Sequence, residues 1–263
     1  MVEPLQLQTA AWALTSTLEL GLLVQLLRRK LGQVYPLFFA YLVSTILQSI
    51  AVAVLYRASN LDKVTTWDIA WSTQGVVVFL RGLVLLELSR KVLSGYVGIW
   101  ALARVILLGV AAFVIAYDLL LSQDQWRWLI MNGVRGLELA MAAVIVTMLM
   151  FARYYRIPVH PMQRSLAVGL CLYSIFYVVN YSLLERVLQE YAVVWNFLGI
   201  FAFIASLLVW IAAVTRYSES ETVAFPTVIS PELHGKLSAE VNTRLLLLNR
   251  QLIQLLHLKD RRS

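Results

Sequence analysis

Apolar residues in this chain fall into long blocks that short polar segments separate. Seven of the blocks are close to the ~20 residues that an α-helix needs to cross the ~30 Å hydrocarbon core of a bilayer. They cover about residues 5–27, 35–55, 67–88, 96–120, 126–151, 165–187 and 191–214. The pattern predicts an all-α fold, a polytopic membrane bundle of seven transmembrane helices within residues 1–216.

The composition supports a membrane location. Of the 263 residues, 60% are hydrophobic and 14% are charged, and the mean hydropathy is +0.74. A soluble domain carries about 25% charged residues, so this chain has too few to cover a water-exposed surface. We therefore expect the lipid bilayer to be its main partner. The first block lacks a basic leader and a small-residue cleavage site, so we expect a retained span and not a signal peptide.

Basic residues predict how the chain is oriented in the membrane. One set of loops holds most of them: Arg28, Arg29, Lys30, Arg90, Lys91, Arg153, Arg156 and Arg164. The opposite loops hold fewer: Arg57, Lys63, Arg127 and Arg186. Cytoplasmic loops are the richer ones in Lys and Arg, so the N-terminus is expected outside and the C-terminus in the cytoplasm. This describes a multi-pass cell membrane protein, in the inner membrane if the chain is bacterial.

The net charge of +7 follows from these loops, so we expect no nucleic-acid partner. Residues 217–230 are polar and predict a linker, and residues 231–263 predict a cytoplasmic amphipathic helix. Apolar residues recur there at steps of four and three: Val241, Leu245, Leu248, Leu252 and Leu255. This seam fits a coiled-coil homo-oligomer or a cytoplasmic protein partner. A helix lying on the inner leaflet or on the bundle fits slightly better, because the seam is shorter than three heptads, and both interpretations stay open.

Polar residues inside the spans are the best pointers to a site, because an ionisable group there costs ~2.5–3.5 kcal/mol on the insertion scale. Six lie at middle depths and predict a buried polar network, a candidate ligand or coupling site: Glu19, Arg81, Asn132, Arg135, Glu138 and Asn180. Arg135 and Glu138 are three residues apart and share a helix face. Arg81 needs a partner from another helix, either Glu19 or Glu138. The network either fixes helix packing or forms a polar site or proton path.

Charges near span ends are expected to reach the membrane surface by snorkelling, and we assign no role to Glu87 or Arg104 on that ground. A retinal Schiff base is excluded, because the lysines all fall in loops or the tail: Lys30, Lys63, Lys91, Lys236 and Lys259. The three histidines and the single Cys171 provide no intramembrane metal or haem ligand set. The sequence therefore predicts no cofactor, no metal site, no catalytic residues and no enzyme activity.

Three kinds of function remain. The layout favours a signalling, sensory or scaffold protein that passes its output through the tail helix to a partner, by analogy of layout alone. The alternatives are a transporter or channel, or a subunit of one, that uses the buried Glu/Arg network, and an accessory subunit of a membrane complex.

Overall fold

A computed structural model of the chain describes residues 4–57, 63–93, 97–121, 126–154, 157, 159–186, 192–217, 240, 243–244 and 246–254. The architecture of these residues is all-helical. The elements are α1 (Pro4–Arg28), α2 (Leu31–Val34), α3 (Pro36–Arg57), α4 (Lys63–Val92), α5 (Val97–Leu121), α6 (Trp126–Tyr154), α7 (Pro161–Arg186) and α8 (Ala192–Thr215). A short C-terminal helix follows them.

The seven predicted spans are confirmed. All helices except α2 and the C-terminal helix are long and apolar enough to cross a membrane. Pro36 begins α3, at the first helical position, where its missing N–H breaks no hydrogen bond. Pro161 begins α7 in the same way, earlier than the expected start near residue 165. The reason is His160, whose Nδ1 accepts the backbone N–H of Met162 at 3.2 Å and so caps the added first turn.

The four-residue helix α2 was not predicted. Lys30 precedes it with φ of 55°, a left-handed conformation that is uncommon outside glycine and that ends α1 with a sharp turn. The turn buries Leu31 and, one residue after α2, Tyr35. The connection between the first two spans is therefore a packed structure, although its sequence looks like a basic loop.

Six of the spans form a closed ring. Along it, α1 packs against α3, α3 against α4, α4 against α6, α6 against α7, α7 against α8, and α8 against α1. The helix α5 lies outside this ring, where it contacts α4 and α6. Inside the ring of helices, the indole of Trp210 from α8 packs against two aromatic side chains of α3. Its centroid lies 5.3 Å from that of Phe38 and 6.1 Å from that of Tyr41. Large side chains, and not an open channel, fill this part of the interior.

The outer surface of the spans is apolar. On α5, for example, Val105, Phe113 and Leu120 are 56%, 69% and 82% exposed. Apolar surface on this scale is unstable in water and is what lipid requires. The bilayer contact expected from the sequence follows from these exposed faces.

The C-terminal helix is confirmed at residues 240, 243–244 and 246–254, which are helical. Leu248 and Leu252 pack against the core of the bundle, whereas Leu246 and Leu247 are about half exposed, at 49% and 54%. Three members of the predicted seam lie outside the described residues: Val241, Leu245 and Leu255. The predicted linker lies outside them too from residue 218 onward. The two seam residues that are described face the bundle of their own chain.

Candidate functional site

The predicted polar network centres on an ion pair between α4 and α6. Arg81 of α4 and Glu138 of α6 are 2% and 0% exposed, and Nη1 of the guanidinium donates to Oε1 of the carboxylate. Sequence analysis left Glu19 and Glu138 as alternative partners for Arg81, and the partner is Glu138. Each charge is costly to bury alone, so the pair ties the two helices together at this depth.

The second carboxylate oxygen of Glu138 is also bound. The hydroxyl group of Ser174, on α7, donates to its Oε2 over 2.6 Å, and this serine is fully buried. A buried ion pair is tolerated only when additional hydrogen bonds satisfy its remaining polar atoms. Glu138 meets this condition with donors from α4 and α7, the two neighbours of α6 in the ring of helices.

Two aromatic rings flank the guanidinium. Cζ of Arg81 lies 4.2 Å from the centroid of the Tyr173 ring and 5.3 Å from that of Tyr41. Both distances are within the ~6 Å at which a cation is attracted to an aromatic face. Tyr173 belongs to α7 and Tyr41 to α3, and Tyr41 in turn contacts Trp210 of α8 edge to face. Arg81 and its contacts therefore connect five of the ring's six helices.

Two polar atoms at this centre lack a well-formed hydrogen bond. Nε of Arg81 and the hydroxyl group of Tyr41 are buried, and neither makes a well-formed hydrogen bond with any residue the structure describes. Leaving such a group unpaired costs ~1–3 kcal/mol, so native structures usually satisfy it with protein or ordered water. The centre therefore has hydrogen-bonding capacity left for a water molecule or a small polar ligand.

Glu19 brings a second carboxyl group toward the same centre from α1. It is 2% exposed, and Tyr41 lies within electrostatic range of Glu19, Glu138 and Arg81. Within the described ranges of the chain, no side chain forms an ion pair or hydrogen bond with Glu19. The charged form of a buried carboxyl group without a partner is strongly disfavoured. Glu19 is thus the carboxyl group of the network that has no contacting polar side chain among the described residues.

The remaining predicted residues lie further out. Asn132 and Arg135 are half buried on α6. Asn180 is buried on α7, where its amide fits against Gly199 of α8, but it follows Ser174 by six residues, about 9 Å of helix rise. The structure thus brings Arg81 and Glu138 into contact, places Glu19 within electrostatic range of Tyr41, and sets Asn180 about two turns away from Ser174.

The uncharged members of the site were not predicted from the sequence. Tyr41, Tyr173 and Ser174 carry no charge, and apolar spans contain many tyrosines and serines that face lipid or core. The sequence shows only that Tyr173 and Ser174 are consecutive residues of one span. Only the packing of α7 against α4 and α6 shows that both side chains reach the ion pair.

The expectation that Glu87 snorkels to the membrane surface is wrong. This residue is 8% exposed, and its Oε2 accepts the backbone N–H of Phe38 over 3.1 Å. The first N–H groups of a helix have no partner in their own helix and carry partial positive charge, which a carboxylate neutralises. Glu87 therefore caps the start of α3 from the neighbouring helix α4.

No other chemistry stands out in the part of the chain that the structure describes. There, no three His, Cys, Asp or Glu side chains come close enough together to hold a metal ion. Comparisons with protein-family models, curated proteins and solved structures found no match to this chain.

Proposed function

We propose that the protein is a signalling or scaffolding membrane module that passes changes in its seven-helix bundle to a partner through the C-terminal helix. The observation that carries the proposal is the two-sided contact of that helix. Leu248 and Leu252 pack against the bundle core, and Leu246 and Leu247, on the opposite side, are half exposed. One side thus follows the bundle, and the other offers an apolar surface to a partner.

The end of α8, from which the tail continues, is tied to two other spans. The backbone carbonyl of Tyr217 accepts a hydrogen bond from Nη1 of Arg29, just after α1, over 2.9 Å. The Tyr217 ring lies 5.4 Å from the ring of His160, which caps α7. A shift of α1 or α7 therefore changes the position of the residue at which the tail begins.

The central ion pair holds helices whose packing a bound ligand could change. Arg81 and Glu138 hold α4 to α6, and Ser174 adds α7, which also packs against α8. A ligand that takes over one of these hydrogen bonds changes the packing of α7 and, through it, of α8. Coupling of two sites requires such a shared element with two arrangements, and the network supports that role.

Hydrogen exchange tests this coupling. Glu138→Gln removes the charge of the pair, and we expect faster amide exchange in residues 246–254 than in wild type. Val78→Ala is the control, because Val78 is a buried apolar residue of the same helix as Arg81 and its truncation loses stability without changing charge. If both variants speed up tail exchange equally at equal loss of melting temperature, the tail is not coupled to the network and the proposal fails.

Transport is the second candidate, favoured by the unbalanced Glu19 and by the unsatisfied atoms of Arg81 and Tyr41. A buried carboxyl group and polar atoms with spare hydrogen-bonding capacity are groups that a proton or solute site uses. Proton flux into pyranine-loaded liposomes tests it, with Glu19→Gln as the variant. Flux above that of protein-free liposomes, abolished by Glu19→Gln, would favour transport, whereas signalling predicts no flux in either.

We further propose that the chain does not itself act as an enzyme. Support comes from Ser174, whose hydroxyl group donates to a carboxylate that Arg81 already neutralises and that is therefore a weak base for activating a nucleophile. His160, the histidine that the structure describes, lies outside the spans and accepts a helix N–H.

A further inference from the structure

An apolar groove opens where α5 leans on α4 and α6, outside the ring of helices. Its volume is about 300 Å³, at the lower end of the ~300–1,000 Å³ typical of small-molecule sites. Ser89 lines it from α4, Leu93 from just after that helix, Ala103 from α5, and Ala143 and Phe151 from α6. The groove is separate from the Arg81–Glu138 network, since residues of α5 form one whole side of it.

The lining of the groove accepts only apolar groups. Its hydroxyl groups belong to Ser89 and Thr147, and both are already used. Ser89 Oγ lies 3.4 Å from Sδ of Met148, and Thr147 Oγ1 donates to the carbonyl oxygen of Ala143 over 2.8 Å. A ligand that needs hydrogen bonds gains none here, whereas a hydrocarbon chain loses nothing by entering.

The depth of the groove matches one leaflet of a bilayer. Along α6 its lining runs from Phe151, near the end of the span, back to Ala143. Eight residues of helix correspond to about 12 Å, and one leaflet contributes about half of the ~30 Å hydrocarbon core. Ile99, at the start of the α5 span, lines the same end as Phe151. This is the end of the bundle that carries Arg90 and Arg153, the predicted cytoplasmic end.

A positive charge lies within the membrane on α5, the helix that forms the outer side of the groove. Arg104 is exposed on α5, one residue after the groove-lining Ala103, and belongs to the Ile99–Tyr117 span. Among described residues, no carboxylate pairs with Arg104. Arg90, also exposed, directly follows Ser89 at the inner end of the groove. Both guanidinium groups are long enough to reach a phosphate at the membrane surface.

We infer that the groove between α4, α5 and α6 binds an acyl chain of one anionic phospholipid of the inner leaflet. The acyl chain occupies the apolar groove, and Arg104 and Arg90 bind the phosphate of the headgroup. Anionic lipids are concentrated in the cytoplasmic leaflet and attract basic side chains near the surface, so the occupant matches both the lining and the charge. The site goes beyond the signalling proposal and does not depend on it.

Native mass spectrometry of the delipidated full chain tests this site, with phosphatidylglycerol and phosphatidylcholine of identical acyl chains as probes. We expect wild type to retain one phosphatidylglycerol. Ala103→Phe fills the groove and should weaken this binding by about tenfold or more. The matched control is Ala112→Phe, an exposed position of the same helix that does not line the groove, and it should bind like wild type. If Ala103→Phe fails to fold, Ala143→Phe fills the groove from α6.

The headgroup part is tested by Arg104→Gln. It should lower the preference for phosphatidylglycerol over phosphatidylcholine by about fivefold, the contribution expected of one basic residue near the surface. An unchanged preference overturns the role of Arg104. Equal lipid binding by wild type and both groove variants overturns the site itself. A change in oligomer mass without a change in bound lipid also overturns it, because a second copy of the chain would then occupy the groove.

Discussion

Glu87 of α4 accepts the backbone N–H of Phe38, in the first turn of α3, over a distance of 3.1 Å. In many helices a side chain just before the helix accepts this N–H, whereas here the acceptor comes from a different span. Four residues after Glu87, Nζ of Lys91 lies 4.8 Å from the ring centroid of Tyr35, the residue before α3. The last turns of α4 thus hold the beginning of α3 by two polar contacts.

Removing the Glu87 carboxylate should destabilise this junction. Glu87→Ala leaves the Phe38 N–H buried without an acceptor, and we expect a loss of about 1–3 kcal/mol in the free energy of unfolding. Glu87→Gln keeps an acceptor oxygen and should lose less. Thermal unfolding in detergent measures both. Equal melting temperatures for the two variants would mean that the hydrogen bond contributes nothing.

The ion pair of Arg81 and Glu138 should behave as a unit. Arg81→Leu or Glu138→Leu alone leaves one buried charge without its partner, and each should lose about 3–5 kcal/mol. The double variant Arg81→Leu/Glu138→Leu should lose much less than the sum, because both charges are gone. Thermal or denaturant unfolding of the four proteins forms the double-mutant cycle. Strictly additive losses would contradict a direct interaction.

A glycine in α7 makes room for the central tryptophan. A Cβ at Gly169 would overlap Nε1 of Trp210, which donates to the carbonyl oxygen of Leu166 at 3.2 Å. Gly169→Ala should therefore cost about 1–3 kcal/mol through overpacking. Gly75→Ala is the matched control, because a Cβ there meets nothing within 4 Å and alanine favours the helix. Differential melting separates them, and equal effects would rule out the overlap.

The two sides of the C-terminal helix should respond differently to polar substitution. Leu248→Ser/Leu252→Ser removes the side that packs on the core, and we expect residues 246–254 to become sensitive to limited proteolysis. Leu246→Ser/Leu247→Ser changes only half-exposed positions and should leave the digestion pattern as in wild type. If instead the Leu248/Leu252 variant changes only the oligomer size in detergent, the seam joins two chains.

Because the phenol of Tyr35 is buried, the protein should lose stability at high pH. Burial raises the pKa of Tyr35 to about 12, from its usual 10.0. Between these pH values the folded chain keeps the phenol proton and the unfolded chain releases it, so stability falls as pH rises through this window. The full effect amounts to about 2–3 kcal/mol. Tyr35→Phe should make the melting temperature fall less steeply from pH 10 to 12, and identical slopes would contradict the prediction.

The spans could be predicted because one physical requirement dominates them. Lipid requires long uninterrupted apolar helices, and each such helix can be recognised from its own ~20 residues. The short helix after Lys30 could not be predicted, because four residues carry no periodic signal and a left-handed lysine has no sequence signature. Glu87 was misjudged for a related reason. Its position near a span end is visible in the sequence, but its acceptor role depends on which helix begins beside it.

The candidate site shows the same division. Sequence analysis identified Arg81 and Glu138, because ionisable residues are rare at the middle of spans and need partners. It could not choose between Glu19 and Glu138, since the choice depends on which helices are neighbours in the ring. Tyr173 and Ser174 were not identified at all, because uncharged side chains are inexpensive to place anywhere in a span.

The contact between α1 and α8 has a consequence for the making of the protein. Helices enter the membrane in the order of synthesis, so α1 is inserted long before α8 arrives to cover one of its sides. Until then the place of Trp210 beside Phe38 and Tyr41 is empty, and the edges of α1 and α7 are open to lipid or to chaperones. If synthesis stops before residue 192, the ring of helices lacks α8 and stays open. The exposed edges of α1 and α7 are then a surface that cellular quality control can bind.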